Sequence, residues 1–373
     1  MKLTIKQTKL FEHLNYVIRG ISNKNLIPIL NCIKFELTND GLYLTSTDNE
    51  ISIKTFIGKK DIESIDRLGE IVVSGRYIYE IIRKLPNEII NIEEVVDSKI
   101  SIYTENSSFN LNCNNIGDFP NIVIDDSKNP FGVKQRIFKN IINQTAFATS
   151  TQESRPVLTG INFKIEHDTL ECTATDSYRL AKAKIKINTD LPEIINVIIP
   201  TKNLLELIRL FNDDEDYINI HVFNNKVIFK FGSIVFISKL INGSYPDTSK
   251  LIPTTFEVTM KVNHNEFFGT IDRASLLTNE ADKNTIKLDN KGNEITISSN
   301  IPEIGNVEEK MIVSKDNDQD IRIAFSSKYM LDALKAFDCE DVELLFNGEV
   351  SPIIVKNPNT DNLIQLILPI RTY

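Results

Sequence analysis

The sequence predicts an α+β protein made of three tandem copies of one unit, each with two helices on one side of antiparallel sheets. Three observations predict it. A strand–turn–helix segment recurs twice at a fixed offset, a second segment recurs upstream of it, and alternating stretches between them read as hairpins.

The first repeat is the clearest. Ile71–Leu85, Val197–Phe211 and Ile323–Phe337 align without gaps, 126 residues apart each time. Arg76, Lys202 and Lys328 correspond, as do Glu80, Glu206 and Asp332, then Arg83, Arg209 and Lys335. Apolar residues such as Ile78, Ile81, Ile82 and Leu85 fall at helical spacing and mark a core face. In the second repeat, Ile27–Phe35 matches Arg155–Phe163, and Leu42–Lys54 matches Leu170–Lys182, both 128 residues apart. The third copy of the upstream helix, around Phe267–Leu277, is weaker. Lys99–Leu111 and Lys226–Leu240 alternate as hairpin strands do. The polar, turn-forming stretches Asp125–Pro130 and Ser249–Thr255 then divide the chain into domains at 1–125, 126–252 and 253–373.

Composition bounds the function. The 373 residues are too many for one ordinary core, and 41% hydrophobic with 25% charged residues is the balance of a globular protein. No apolar run approaches the ~18 residues of a membrane span, and no secretory leader pattern opens the chain, so a cytoplasmic protein is expected. Cys32, Cys113, Cys172 and Cys339 lie far apart and read as reduced, mostly buried thiols. With His13, His167, His221 and His264 scattered, no metal-ligand spacing arises. No phosphate-binding glycine loop, zinc-protease motif or nucleophile elbow is present, so neither a catalytic site nor a cofactor is expected. Thr47–Asp48 and Thr175–Asp176 resemble catalytic pairs, but they recur at the repeat offset and read as structural strand ends.

The net charge of −9 argues against nucleic acid only if charge is spread evenly. It is not. Six helical windows are predicted: Thr8–Lys24, Arg76–Leu85, Arg136–Ser150, Lys202–Phe211, His264–Leu277 and Lys328–Phe337. Together they hold thirteen Lys and Arg against six Asp and Glu. Equivalent helices arranged in a circle would give a basic lining and an acidic outside, which attracts phosphates to the hole without reading bases.

The chain resembles the bacterial DNA polymerase III beta subunit family, the sliding clamps, over its whole length. The resemblance is carried by Ile27–Leu30 (IPIL), Asp118–Asn121 (DFPN), Arg155–Gly160 (RPVLTG), Ala174–Leu180 (ATDSYRL), Tyr245–Asp247 (YPD) and Leu368–Tyr373 (LPIRTY). It implies a head-to-tail homodimer that closes a ring around double-stranded DNA without sequence preference. It also implies no catalysis, a tethered replicative DNA polymerase, an ATP-driven clamp loader that opens the ring, and other partners bearing a clamp-binding peptide. Its peptide pocket maps onto Leu158, Thr175, Ser177, Tyr178, Arg179, Leu180, Pro246, Leu251, Val350, Pro352, Leu366, Leu368, Pro369, Ile370 and Arg371. Many members carry His where this chain has Tyr178. An aromatic wall is kept, and a titrating imidazole is not. The family's DNA contacts map onto Lys24, Arg76, Gln152 and Lys202. Its dimer contacts map onto Phe109 and Leu111 against Leu276 and Leu277. A repeat scaffold that binds only proteins would share the pocket but not the hole. Retention on circular DNA that is lost on linearisation separates the two.

Overall fold

The computed structural model describes residues 1–22, 26–95, 98–125, 127–187, 193–211 and 215–371. Six α-helices occur among them: α1 (Gln7–Val17), α2 (Gly75–Lys84), α3 (Gln135–Asn143), α4 (Thr201–Ile208), α5 (His264–Ser275) and α6 (Ser327–Leu334). α2, α4 and α6 start at the 126-residue spacing read from the sequence.

All six helices end sooner than their apolar patterns predict, α1 and α3 by the most. α1 stops at Val17 and tightens into a 3-10 turn, Ile18–Gly20. The Ser46 hydroxyl donates to the Val17 carbonyl at 2.5 Å, occupying a carbonyl of the helix's last turn. Gly20 then lies so close to Ser46 that a β-carbon there would collide with its hydroxyl. α3 stops at Asn143, just before Thr145, whose hydroxyl donates back to the Ile141 carbonyl at 2.8 Å. α5 ends at Ser275, and its start is fixed by Asn263, whose side chain accepts the Glu266 N–H.

The chain folds as two compact units, one of Met1–Gln135 with Lys202–Leu240, the other of Arg136–Thr201 with Ile241–Tyr373. These cut across the middle repeat because strand pairing crosses repeat boundaries. In the first unit, a thirteen-stranded sheet passes from the first repeat into the second where Ile51–Gly58 pairs antiparallel with Ile234–Lys239. In the second unit, a nine-stranded sheet passes from the second repeat into the third where Arg179–Lys186 pairs antiparallel with Thr360–Ile367. A separate four-stranded sheet orders Gly305–Ile312, Glu294–Ile301, Thr285–Lys291 and Arg322–Ser326.

Alternation supplies each core. Ile51, Ile53, Thr55 and Ile57 face inward, and α1 covers them with Leu10, Leu14 and Val17. α2 packs on α1, with the Tyr79 ring against Phe11 and its hydroxyl donating to Asn15, and buries Ile78 and Ile82. In the second unit α5 and α6 pack together, burying Phe267, Ile271, Met330 and Leu334. Each large side chain so buried contributes about 1.5–3 kcal/mol. His13 belongs to this packing: its Nδ1 lies 2.7 Å from the Thr55 hydroxyl, and burial lowers its pKa to about 4. All four cysteines are free, Cys32 and Cys172 are buried, and burial raises every thiol above its usual range.

Candidate functional site

The pocket residues of the sequence reading all fall in the second unit, and a repeated turn positions several of them. At the end of strand Thr169–Thr175, the Thr175 hydroxyl donates to the Arg179 carbonyl at 2.6 Å and accepts the Ser177 N–H. Asp176 Oδ1 accepts the N–H groups of Tyr178 and Arg179. Thr47 and Asp48 make the same four bonds with Ile51, Asn49 and Glu50. Ser177 (φ 78°) and Asn49 (φ 76°) both adopt the left-handed conformation that the turn requires. The Thr–Asp pairs are therefore turn builders. The second turn differs in what it displays: Tyr178, 58% exposed at the tip, and Arg179 turned inward.

Arg179 is held on several sides. Its Nε donates to Asp176 at 3.0 Å and its Nη1 to Asp332 at 2.8 Å, while its guanidinium lies 4.5 Å from the Tyr329 ring centre and 5.3 Å from that of Phe147. Burial raises the Tyr329 pKa. The sequence reading included Arg179 but missed Asp332, Tyr329 and Phe147. Asp332 carried a signal only as the acidic member of the helix repeat.

Beside this turn lies an apolar floor. Leu180 pairs across the sheet with Leu366, and both pack with Leu345 and Ile354, against which Ile252 and Phe256 rest. Leu158 is buried in the turn Pro156–Thr159, and Leu251 is half exposed next to Ile252. Pro246 is exposed. Tyr245 before it is mostly buried near the Thr175 main chain, yet its hydroxyl lacks a hydrogen bond of good geometry, and burial raises its pKa.

The chain end crosses between two sheets. The Leu368 N–H donates to the Tyr178 carbonyl at 2.9 Å, and the Ile370 N–H donates to the Ala324 carbonyl on the four-stranded sheet at 2.7 Å. Ile370 and Arg371 line two adjoining cavities of about 570 and 660 Å³, the second also bordered by Val350. Pro352 is half-buried beside strand Ile353–Asn357, and Pro369 is half-buried in the tail. Leu368, Leu251 and Val350 are exposed, whereas Leu180 and Leu366 of the floor are buried. Such a surface suits a short peptide with apolar anchors.

The remaining candidates lie elsewhere. Lys24 falls outside the described residues. Arg76 and Lys202 are exposed in the first turns of α2 and α4, and Gln152 is exposed on the loop after α3. Phe109, 38% exposed, and half-buried Leu111 sit on strand Ser108–Asn114. That strand pairs with Lys99–Tyr103 along one side but meets Gly69–Ser74 only at its last two residues, so most of its other edge is open. Leu276 at the end of α5 is 78% exposed, and Leu277 is half-buried. No group of acidic, His or Cys side chains that could hold a metal occurs among the described residues, and no described helix is long and apolar enough to cross a membrane.

Comparison with known proteins places this architecture. The family models for the N-terminal, central and C-terminal domains of the DNA polymerase III beta subunit match residues 1–123, 132–247 and 249–371. The beta sliding clamps of Bacillus subtilis and Staphylococcus aureus are each 40% identical to the chain, over the full length of both partners. The crystal structure of the Bacillus subtilis DNA polymerase sliding clamp matches with a TM-score of 0.97 at 39% identity, covering 100% of each chain. That of the Pseudomonas aeruginosa DNA polymerase III subunit beta matches at 0.95 with 26% identity, again over 100% of each. With three tandem clamp domains matched in order, the chain belongs to the beta-subunit family of DNA polymerase III, the DNA sliding clamps, which are processivity factors and not enzymes.

Proposed function

We propose that the chain works as a head-to-tail homodimer, a closed ring of six domains whose protomers are divided at 1–125, 126–252 and 253–373. The ring surrounds duplex DNA in the cytoplasm, is opened by a clamp loader, and holds the replicative polymerase and other partners through a peptide pocket. The observation that carries this reading is the turn, floor and tail assembly of the second unit. There the strand after the turn, through Leu180, and the strand before the tail, through Leu366, share one buried apolar floor, and both the turn and the tail are pinned by hydrogen bonds. A pre-ordered cleft binds a peptide with little ordering cost on its own side.

Two further features support the ring. The open edge of strand Ser108–Asn114 carries Phe109 and Leu111, and Leu276 is exposed at the end of α5. An exposed apolar edge favours pairing, and a contact between different surfaces of two copies is heterologous, as a head-to-tail ring requires. Arg76, Lys202 and Gln152 are solvent-exposed, as DNA contacts must be, and Lys24 is the fourth residue of that set. Loading the protein onto nicked circular DNA with a clamp loader and then linearising the circle tests the ring. Retention on the circle and loss after linearisation are expected. Equal retention on both would exclude topological linkage.

A further inference from the structure

We infer that Lys328 is a third phosphate-contacting cation of the DNA channel, the counterpart in the last repeat of Arg76 and Lys202. The inference rests on the reading of Arg76 and Lys202 as DNA contacts.

The three residues are equivalent by sequence and by local structure. Each is the second residue of its helix, α2, α4 or α6. The residue before it is buried in every case: Gly75 against Ile21, Thr201, and Ser327 with its hydroxyl donating to the Asn284 carbonyl. The cation after it is exposed in every case. The same anchored backbone thus presents the same charge three times.

None of the three has an ion-pair partner among the described residues, although an acid stands four residues on in each helix, the spacing at which helical pairs meet. Those acids are engaged elsewhere. Glu80 takes Arg83 at 2.6 Å, Glu206 takes Arg209 and Arg19, and Asp332 takes Arg179 and Lys335. A cation in the first turn also opposes the helix dipole, so helix stability does not explain its presence. On this helix Arg179 is held by Tyr329 and Asp332, and no contact joins Lys328 itself to Arg179 among the described residues.

The test compares Lys328→Ala, Arg76→Ala and Lys202→Ala in the full-length protein. Binding of a fluorescent linear duplex, which threads the ring from its ends, is followed by anisotropy as salt is raised. Loss of one phosphate contact lowers the slope of log affinity against log salt by about 0.9. That corresponds to about eightfold weaker binding near 0.1 M salt and about fourfold near 0.2 M. All three variants are expected to show this, with affinity for a polymerase tail peptide unchanged. If Arg76→Ala and Lys202→Ala lose affinity and Lys328→Ala does not, the inference about Lys328 fails alone. If none of the three changes, the channel reading fails with it. A loss of peptide affinity in Lys328→Ala without a change in salt slope would also overturn the inference, assigning Lys328 to the peptide site.

Discussion

Removal of Leu368–Tyr373 is the most direct perturbation of the proposed peptide pocket. The last sheet strand, Thr360–Ile367, stays paired with Arg179–Lys186 on one side and Ile353–Asn357 on the other, so its pairing does not depend on the tail. What is lost is the covering formed by Leu368, 37% exposed, and by half-buried Pro369 and Ile370, together with two backbone hydrogen bonds. Leu368 and Ile370 are already partly covered, so a peptide gains less from each than the ~1.5–3 kcal/mol of complete burial, about 1–1.5 kcal/mol. Freeing the Tyr178 turn from the Leu368 N–H adds about 1 kcal/mol of lost order. The total of about 3–4 kcal/mol corresponds to a 10²–10³-fold weaker complex. Titration calorimetry with a peptide carrying a Gln and large apolar residues measures it, and light scattering checks that the dimer persists. Leu368→Ala alone is expected to cost about tenfold. Peptide affinity within twofold of the parent after truncation would show that the tail is no part of the pocket.

Further outcomes follow from other sites. Leu158→Asp places a carboxylate at a position only 4% exposed and is expected to abolish peptide binding while the dimer survives, as light scattering would show. Leu276→Ala with Leu277→Ala removes exposed or half-exposed side chains. It should leave circular dichroism unchanged but shift the mass towards monomer at sub-micromolar concentration; a full dimer there would remove this interface. Arg76→Glu with Lys202→Glu should impair retention on circular DNA without altering peptide affinity, and unchanged retention would exclude both as contacts. His13 is buried neutral with a pKa of about 4, below its unfolded value. Its stabilising contribution is complete above about pH 6.5 and is lost as pH falls towards 4. The amount is about 2 kcal/mol after allowing for solvent screening, and it should be absent from a pH series on His13→Asn.

The repeat was legible because the apolar face of each helix and the acids and bases beside it keep step over 126 residues. Helix ends were not, since α1 stops where the distant Ser46 hydroxyl takes the Val17 carbonyl, a contact that no local pattern encodes. The Thr175–Arg179 turn was legible as a structural strand end from its copy at Thr47–Ile51, whereas the hydrogen bonds the two share emerge only in the fold. The surroundings of Arg179 were hidden, because Asp332 lies 153 residues away and reaches it only once α6 has docked. Compact units that divide the middle repeat were also hidden: which strand edges meet across a repeat boundary is a property of pairing register, not of periodicity.

The strand pairings that cross repeat boundaries limit what can be separated from this chain. A fragment cut after the first repeat would expose the edge of Ile51–Gly58 that Ile234–Lys239 otherwise covers, and a fragment beginning at the third would bare Thr360–Ile367. Each bared edge is a row of open backbone donors and acceptors flanked by Ile53 or Leu366, a template for aggregation. Similarity among the repeats records a shared pattern, yet each repeat taken alone leaves at least one of these edges open. The smallest piece that keeps these edges covered is the whole chain.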